Sequence, residues 1–98
     1  VDERTARLDE QRDTLTVTLV GVGDATDLTA TNNAQLVRGP LSLLIDCGHS
    51  VPGPLTQLLP DPNALDAIWL THCHADHVMG LPALLMWMKR NGRTRPLL

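Results

Sequence analysis

Residues 71–77, Thr-His-Cys-His-Ala-Asp-His, hold three of the chain's four histidines. On an extended backbone successive side chains alternate sides, so His72 and His74 project together while Cys73 points away. Two imidazoles on one side are able to share a metal ion. As the chain bends out of the extended segment, Asp76 and His77 are presented at a second position close by. Imidazole nitrogen and carboxylate oxygen are the donors zinc prefers, and iron or manganese is compatible with the same set. Two such ions, about 3.5–4 Å apart, lower the pKa of a shared water and clamp the oxygens of a substrate during displacement. Metal-assisted hydrolysis is the chemistry this arrangement suits. The plainer alternative is three histidines in a polar loop at a strand end. His-x-His-x-Asp-His between a buried strand and a helix is far more specific than an isolated His-x-His, and the metal reading is preferred on that ground.

The elements that must position these residues are legible from periodicity. TLTVTLVGV, from Thr14 to Val22, alternates Thr with Leu or Val, which predicts a strand with one buried face ended by Gly21 and Gly23. DATDLTATNN is rich in turn formers and reads as a long loop. AQLVRG and LSLLIDCG, separated by Gly39 and Pro40, read as two strands joined by a tight turn, the second apolar enough to be buried on both faces. PLTQLL, residues 54–59, predicts a short helix opened by Pro54, with a turn at PDPN after it. DAIWL, residues 66–70, is a short apolar strand, and the histidine cluster begins where it stops. Pro82 suits the first turn of a helix through ALLMWMKR, with Asn91 and Gly92 as its stop. That helix is apolar nearly all round and is expected to be buried. The closing PLL reads as the opening of another strand.

Composition sets the frame. With 98 residues the chain is one small domain at most, and its core is modest. Aromatics are only 2 %, with Trp69 and Trp87 and no Phe or Tyr, so Leu, Val and Ala must fill the interior. A net charge of -3 argues against a whole-chain electrostatic grip on nucleic acid or an anionic membrane. Cys47 and Cys73 form no Cys-x-x-Cys pair and are read as reduced thiols. The N-terminal residues 1–13 are a polar lead-in with no apolar signal region, and no apolar run approaches the ~20 residues needed to span a bilayer. A cytoplasmic location, without a membrane partner, is the expectation.

The motif carries a family resemblance. THCHADH resembles the His-x-His-x-Asp-His signature of the metallo-β-lactamase superfamily of metallohydrolases, and LLIDCG is similar to that family's apolar strand ending in a loop aspartate. The resemblance covers residues 14–98 and implies an α/β fold, the N-terminal half of a four-layer αββα metallo-β-lactamase domain. It implies two divalent metal ions, zinc first and manganese or iron next. His72 and His74 would bind the first and Asp76 and His77 the second. Asp76 would also orient or deprotonate the attacking water, and Asp46 would support the site loop from behind the ligands. A Glu in place of His74 marks the redox-active diiron members, so a His there favours hydrolysis. GLPALL after the motif and TNNA before it are similar to the ribonuclease Z-like and phosphodiesterase-like branch. The family's remaining ligands, a His, a bridging carboxylate and a last His, come from later segments. The chain is therefore expected to be part of a longer enzyme, binding metal weakly and catalysing poorly alone.

The expected function is hydrolysis of a phosphodiester, in RNA or a small molecule. Hydrolysis of a lactone or thioester, and a non-catalytic metal-binding or scaffold role, remain open beside it. An exposed half-core would also be prone to associate, so a homo-oligomer is compatible with the chain. His49, after IDCG, matches no ligand motif and is read as a loop residue. GVGDAT lacks the third glycine of a dinucleotide fingerprint; the resemblance implies that it is part of the site rim, with ordinary turn chemistry as the plainer alternative. Lys89, Arg90, Arg93 and Arg95 are read first as a solvated helix end and second as a contact for substrate phosphates.

Overall fold

In a computed structural model that describes residues 14–98, the alternating segment forms strand β1, Thr16–Gly21. The lead-in expected over residues 1–13 lies outside the described residues. β1 pairs antiparallel with β2, Ala34–Arg38, which pairs antiparallel with β3, Ser42–Ile45, through a tight turn in which Gly39 N–H donates to the Leu41 carbonyl. β3 pairs in parallel with β4, Ala67–Trp69, and the sheet order is β1-β2-β3-β4. A parallel pair needs a crossover, and helix α1, Pro52–Leu58, supplies it. It starts two residues before Pro54, with proline in its first turn, where a missing N–H costs nothing. After β4 come a short helix α2, Ala75–Val78, and helix α3, Leu81–Arg90. Asn91 caps α3 and Gly92 follows in the left-handed region, φ 90°, as the stop signal requires. The closing residues begin to pair as expected: Leu98 lies along β4, donating to the Asp66 carbonyl and accepting from Ile68 N–H.

Register decides which side chains share a face. Leu36 stands opposite Leu44, which stands beside Ile68, and this row faces the helices. Leu36 and Leu44 pack with Cys47, Val51, Leu55, Leu65, Leu84 and Met88 into the buried core. Each such leucine contributes roughly 1.5–3 kcal/mol on burial. Burial raises the Cys47 thiol to about 12, so it packs as a small apolar residue. Cys73 is exposed, and neither cysteine is in a disulfide.

The structure corrects three expectations of burial. The apolar row of β1 is open: Leu15, Val17 and Leu19 are each about three-fifths exposed or more. β3 is fully buried only at Leu44, not on both faces. Helix α3 buries Leu84 and Met88, whereas Met86 is 72 % exposed. The first two share a cause, whereas Met86 lies on the face of α3 turned away from Leu84 and Met88. α1 and α3 cover one side of the sheet, and among the described residues no layer lies on the side that carries Val17, Leu19, Ile45 and Trp69. No helix of the described residues is long and apolar enough to cross a membrane.

Candidate functional site

Because β3 and β4 run in parallel, their C-terminal ends emerge at the same edge, with Ile45 beside Trp69. The chain after β3 delivers Asp46, and the chain after β4 delivers Thr71–His77. Backbone bonds stitch the two together: Asp46 N–H donates to the Trp69 carbonyl at 2.9 Å, Cys47 N–H to His77 at 2.8 Å and Gly80 N–H to Cys47 at 2.9 Å. The crossing is so close that a side chain at Gly48 would strike the Asp76 carbonyl and the Asn32 side chain, and one at Gly80 would strike the Gly48 carbonyl. Glycine is required at both places by contact alone.

Asp46 sits at φ 67°, the left-handed region that Asp and Asn tolerate better than other side chains. It is 5 % exposed. Its Oδ1 accepts the Thr71 N–H at 2.8 Å, and its carboxylate accepts the Thr71 hydroxyl at 2.8–3.0 Å. Its Oδ2 also accepts His77 Nδ1 at 2.8 Å. Burial pushes the carboxyl up, but the Thr71 N–H, the His77 ring and the Thr71 hydroxyl together outweigh burial and hold it below the ordinary value. The carboxylate is thus saturated by inward-facing donors, and its place is behind the imidazoles.

The three imidazoles stand together. The His72 and His74 ring centroids are 4.7 Å apart and edge-on, and those of His72 and His77 are 3.8 Å apart. His72 and His74 lie in the exposed segment before α2, whereas Asp76 and His77 are half-buried in α2 itself. Asp76 Oδ2 lies 3.1 Å from His77 Nε2. His77 uses its Nδ1 proton on Asp46, so in the neutral ring its Nε2 lone pair faces a carboxylate lone pair. Two such lone pairs at that distance are the kind of donors a divalent metal ion takes. The donor set fits a divalent metal in this sense. Among the described residues no three His, Cys, Asp or Glu side chains already enclose a metal position.

All five residues singled out from the sequence, Asp46, His72, His74, Asp76 and His77, meet at this edge. His49 is exposed in the turn after Gly48. Two partners were not anticipated. Thr71 joins Asp46 to His72 Nδ1, its hydroxyl 3.0 Å from that nitrogen. Asn32, fully buried, accepts the Ser50 hydroxyl at 2.8 Å and donates to the Asp24 carbonyl, which ties the long loop to the chain beside Gly48. Asn32 belongs to the TNNA stretch, the signal that pointed to it without giving its role. The basic cluster divides. Arg93 and Arg95 donate to the Pro62, Pro96 and Asn63 carbonyls, and Arg95 pairs with Asp66, at the opposite end of β4 from the histidines. Lys89 and Arg90 stay exposed in the last turn of α3.

Comparison with known proteins agrees with this fold. The metallo-β-lactamase fold protein YhfI from Bacillus subtilis superposes with a TM-score of 0.73 at 30 % identity, over 87 % of this chain and 35 % of that one. The α/β architecture is therefore that of the metallo-β-lactamase fold. A ribonuclease Z from Clostridium kluyveri is 35 % identical over 85 residues, 85 % of this chain and 28 % of its own length. An anti-Pycsar protein Apyc1 from Bacillus phage 010DV004 is 44 % identical over 80 residues, 80 % of this chain and 31 % of its own length. The chain thus spans about a third of the relatives it matches. The expected likeness to ribonuclease Z is present, within a hydrolase lineage, but the family itself is one that the motif alone does not name. The family model described as anti-Pycsar protein Apyc1 matches residues 15–98, nearly all of the described chain with the whole histidine edge, and the chain belongs to that family.

Proposed function

We propose that this chain carries the metal-binding edge of a phosphodiesterase whose substrate is a small cyclic nucleotide. The observation that carries the reading is the arrangement at the end of β4. Three imidazoles are in ring contact, and His77 is anchored on Asp46 while its other nitrogen shares a position with Asp76. Family membership supports the cyclic nucleotide, and the likeness to ribonuclease Z supports the phosphodiester and keeps RNA as the second substrate.

In this reading His72 and His74 hold one divalent ion, zinc before manganese or iron, and Asp76 and His77 hold another. Bound there, such ions supply Lewis-acid polarisation of the phosphoryl oxygens and acidify water near neutral pH. The chain's own residues do the rest. Asp46 fixes the His77 ring by its Nδ1 proton, which leaves Nε2 aimed at the site. Asp76 orients the attacking water and accepts its proton. Water adds to phosphorus, one P–O ester bond breaks, and the leaving oxygen takes up a proton. In a cyclic substrate the phosphate monoester and the hydroxyl so formed remain on one molecule.

The test uses the full-length protein, its metal measured by elemental analysis, against cyclic nucleotides, a structured RNA, a lactone and a thioester, before and after chelation. Chelator-sensitive opening of a cyclic nucleotide is expected. Turnover of RNA alone would move the proposal to the ribonuclease reading. Turnover of the lactone or thioester alone would refute the phosphodiester, and no metal with no turnover would leave a non-catalytic module.

A further inference from the structure

Thr71 touches both the buried carboxylate and the first imidazole of the motif, and nothing in the proposed chemistry uses it. Its hydroxyl oxygen lies 2.8 Å from Asp46 Oδ2, 3.0 Å from Asp46 Oδ1 and 3.0 Å from His72 Nδ1. A hydroxyl has one proton to give, and an ionised carboxylate is an acceptor only. Bonds to ionised groups are roughly twice as strong as neutral ones, so the Thr71 proton goes to Asp46. The Thr71 oxygen then presents a lone pair to His72 Nδ1, and at 3.0 Å that nitrogen must bring the proton. In the opposite arrangement Thr71 would donate to His72 and leave its oxygen against two carboxylate oxygens with no proton between them.

We infer that Thr71 is a positioning residue: it relays the acceptor character of Asp46 to His72 and holds that ring in its Nδ1–H tautomer. One carboxylate thereby fixes two imidazoles, His77 directly and His72 through a hydroxyl, and frees Nε2 of both. This concerns where a neutral ring keeps its proton, not whether it gains one. It rests on the metal reading only for its purpose, because a metal takes the unprotonated nitrogen.

The experiment is nitrogen-15 NMR of the histidine rings in the full-length, metal-free protein, about two pH units above the ordinary imidazole pKa so that neutral rings are read. Wild type, Thr71→Val and Thr71→Ser are compared, and zinc affinity is then measured on each. The inference expects His72 as the Nδ1–H tautomer in wild type and Thr71→Ser, and a shift toward Nε2–H in Thr71→Val. His77, held by Asp46 without Thr71, keeps its tautomer in all three. Zinc binding should weaken about tenfold or more in Thr71→Val and recover in Thr71→Ser. A wild-type His72 already in the Nε2–H form, a tautomer unmoved by Thr71→Val, or a joint change of His72 and His77 would each overturn the relay. A wild type that binds no zinc but shows the expected tautomers would sink the metal reading and leave the relay standing.

Discussion

The two ends of β4 are built from similar groups and do opposite things. At its N-terminal end Asp66 accepts Ser42 N–H, pairs with Arg95, and lies among carbonyls taken up by Arg93 and Arg95. At its C-terminal end Asp46 is equally saturated, but the imidazoles it braces keep nitrogens that no donor among the described residues uses. Both carboxyls are held below their ordinary values. For Asp66 the Ser42 N–H contributes most to the lowering, with Arg95 adding to it, and for Asp46 hydrogen bonds overcome the larger opposing effect of burial. A lowered pKa therefore does not separate function from scaffolding here. The separation lies in leftover valence: one end closes on itself and the other ends in imidazole and carboxylate lone pairs that face one another.

Asp76→Ala is the largest test of that contrast. It should lower kcat of the full-length enzyme about 10²–10⁴-fold, as loss of a proton-accepting group does, and a steady-state assay on the purified variant checks it. Asp46→Asn should come next, about 10–100-fold in metal affinity or turnover, since it removes the brace while keeping a residue tolerant of positive φ. Its stability cost has a defined pH dependence. A carboxyl depressed in the folded state stabilises fully above its unfolded pKa of about 3.9, and that contribution disappears as pH falls through the lower folded value. The gap between wild type and Asp46→Asn in denaturant titrations should accordingly be full near neutrality and close on acidification.

Asn32→Ala removes the acceptor of the Ser50 hydroxyl and leaves part-buried partners unmet, at about 1 kcal/mol of stability by chemical denaturation. Turnover per folded molecule should fall less than in Asp46→Asn. Arg95→Met at the closed end is the smallest effect. Its guanidinium is about half exposed, so the pair with Asp66 is worth roughly 0–1 kcal/mol and the variant should keep wild-type turnover. A large loss of turnover in Arg95→Met would erase the distinction between the two ends.

Much of this was legible in the sequence because local patterns report local facts. Thr-Leu alternation placed β1, Pro82 and Asn91-Gly92 bracketed α3, and the spacing of His72, His74, Asp76 and His77 marked a candidate site in the segment that follows β4. The misses concern what lies across the molecule. Alternation says that Leu15, Val17 and Leu19 share a face but not whether another layer covers it. Arg93 and Arg95 read as a solvated cluster because the carbonyls they serve lie about 30 positions earlier, at Pro62 and Asn63. Thr71 was overlooked because a hydroxyl before a histidine is common, and its meaning comes from Asp46, 25 positions away.

The central claim is that the open end of β4 is a metal centre built from imidazole and carboxylate. X-ray absorption at the zinc edge of the zinc-loaded, full-length protein tests it most directly. The account predicts a nitrogen and oxygen shell at about 2.0–2.1 Å with imidazole scattering that weakens in His72→Ala and in His77→Ala. A sulfur shell near about 2.3 Å, which would bring in Cys73, or imidazole scattering unchanged in both variants would contradict it.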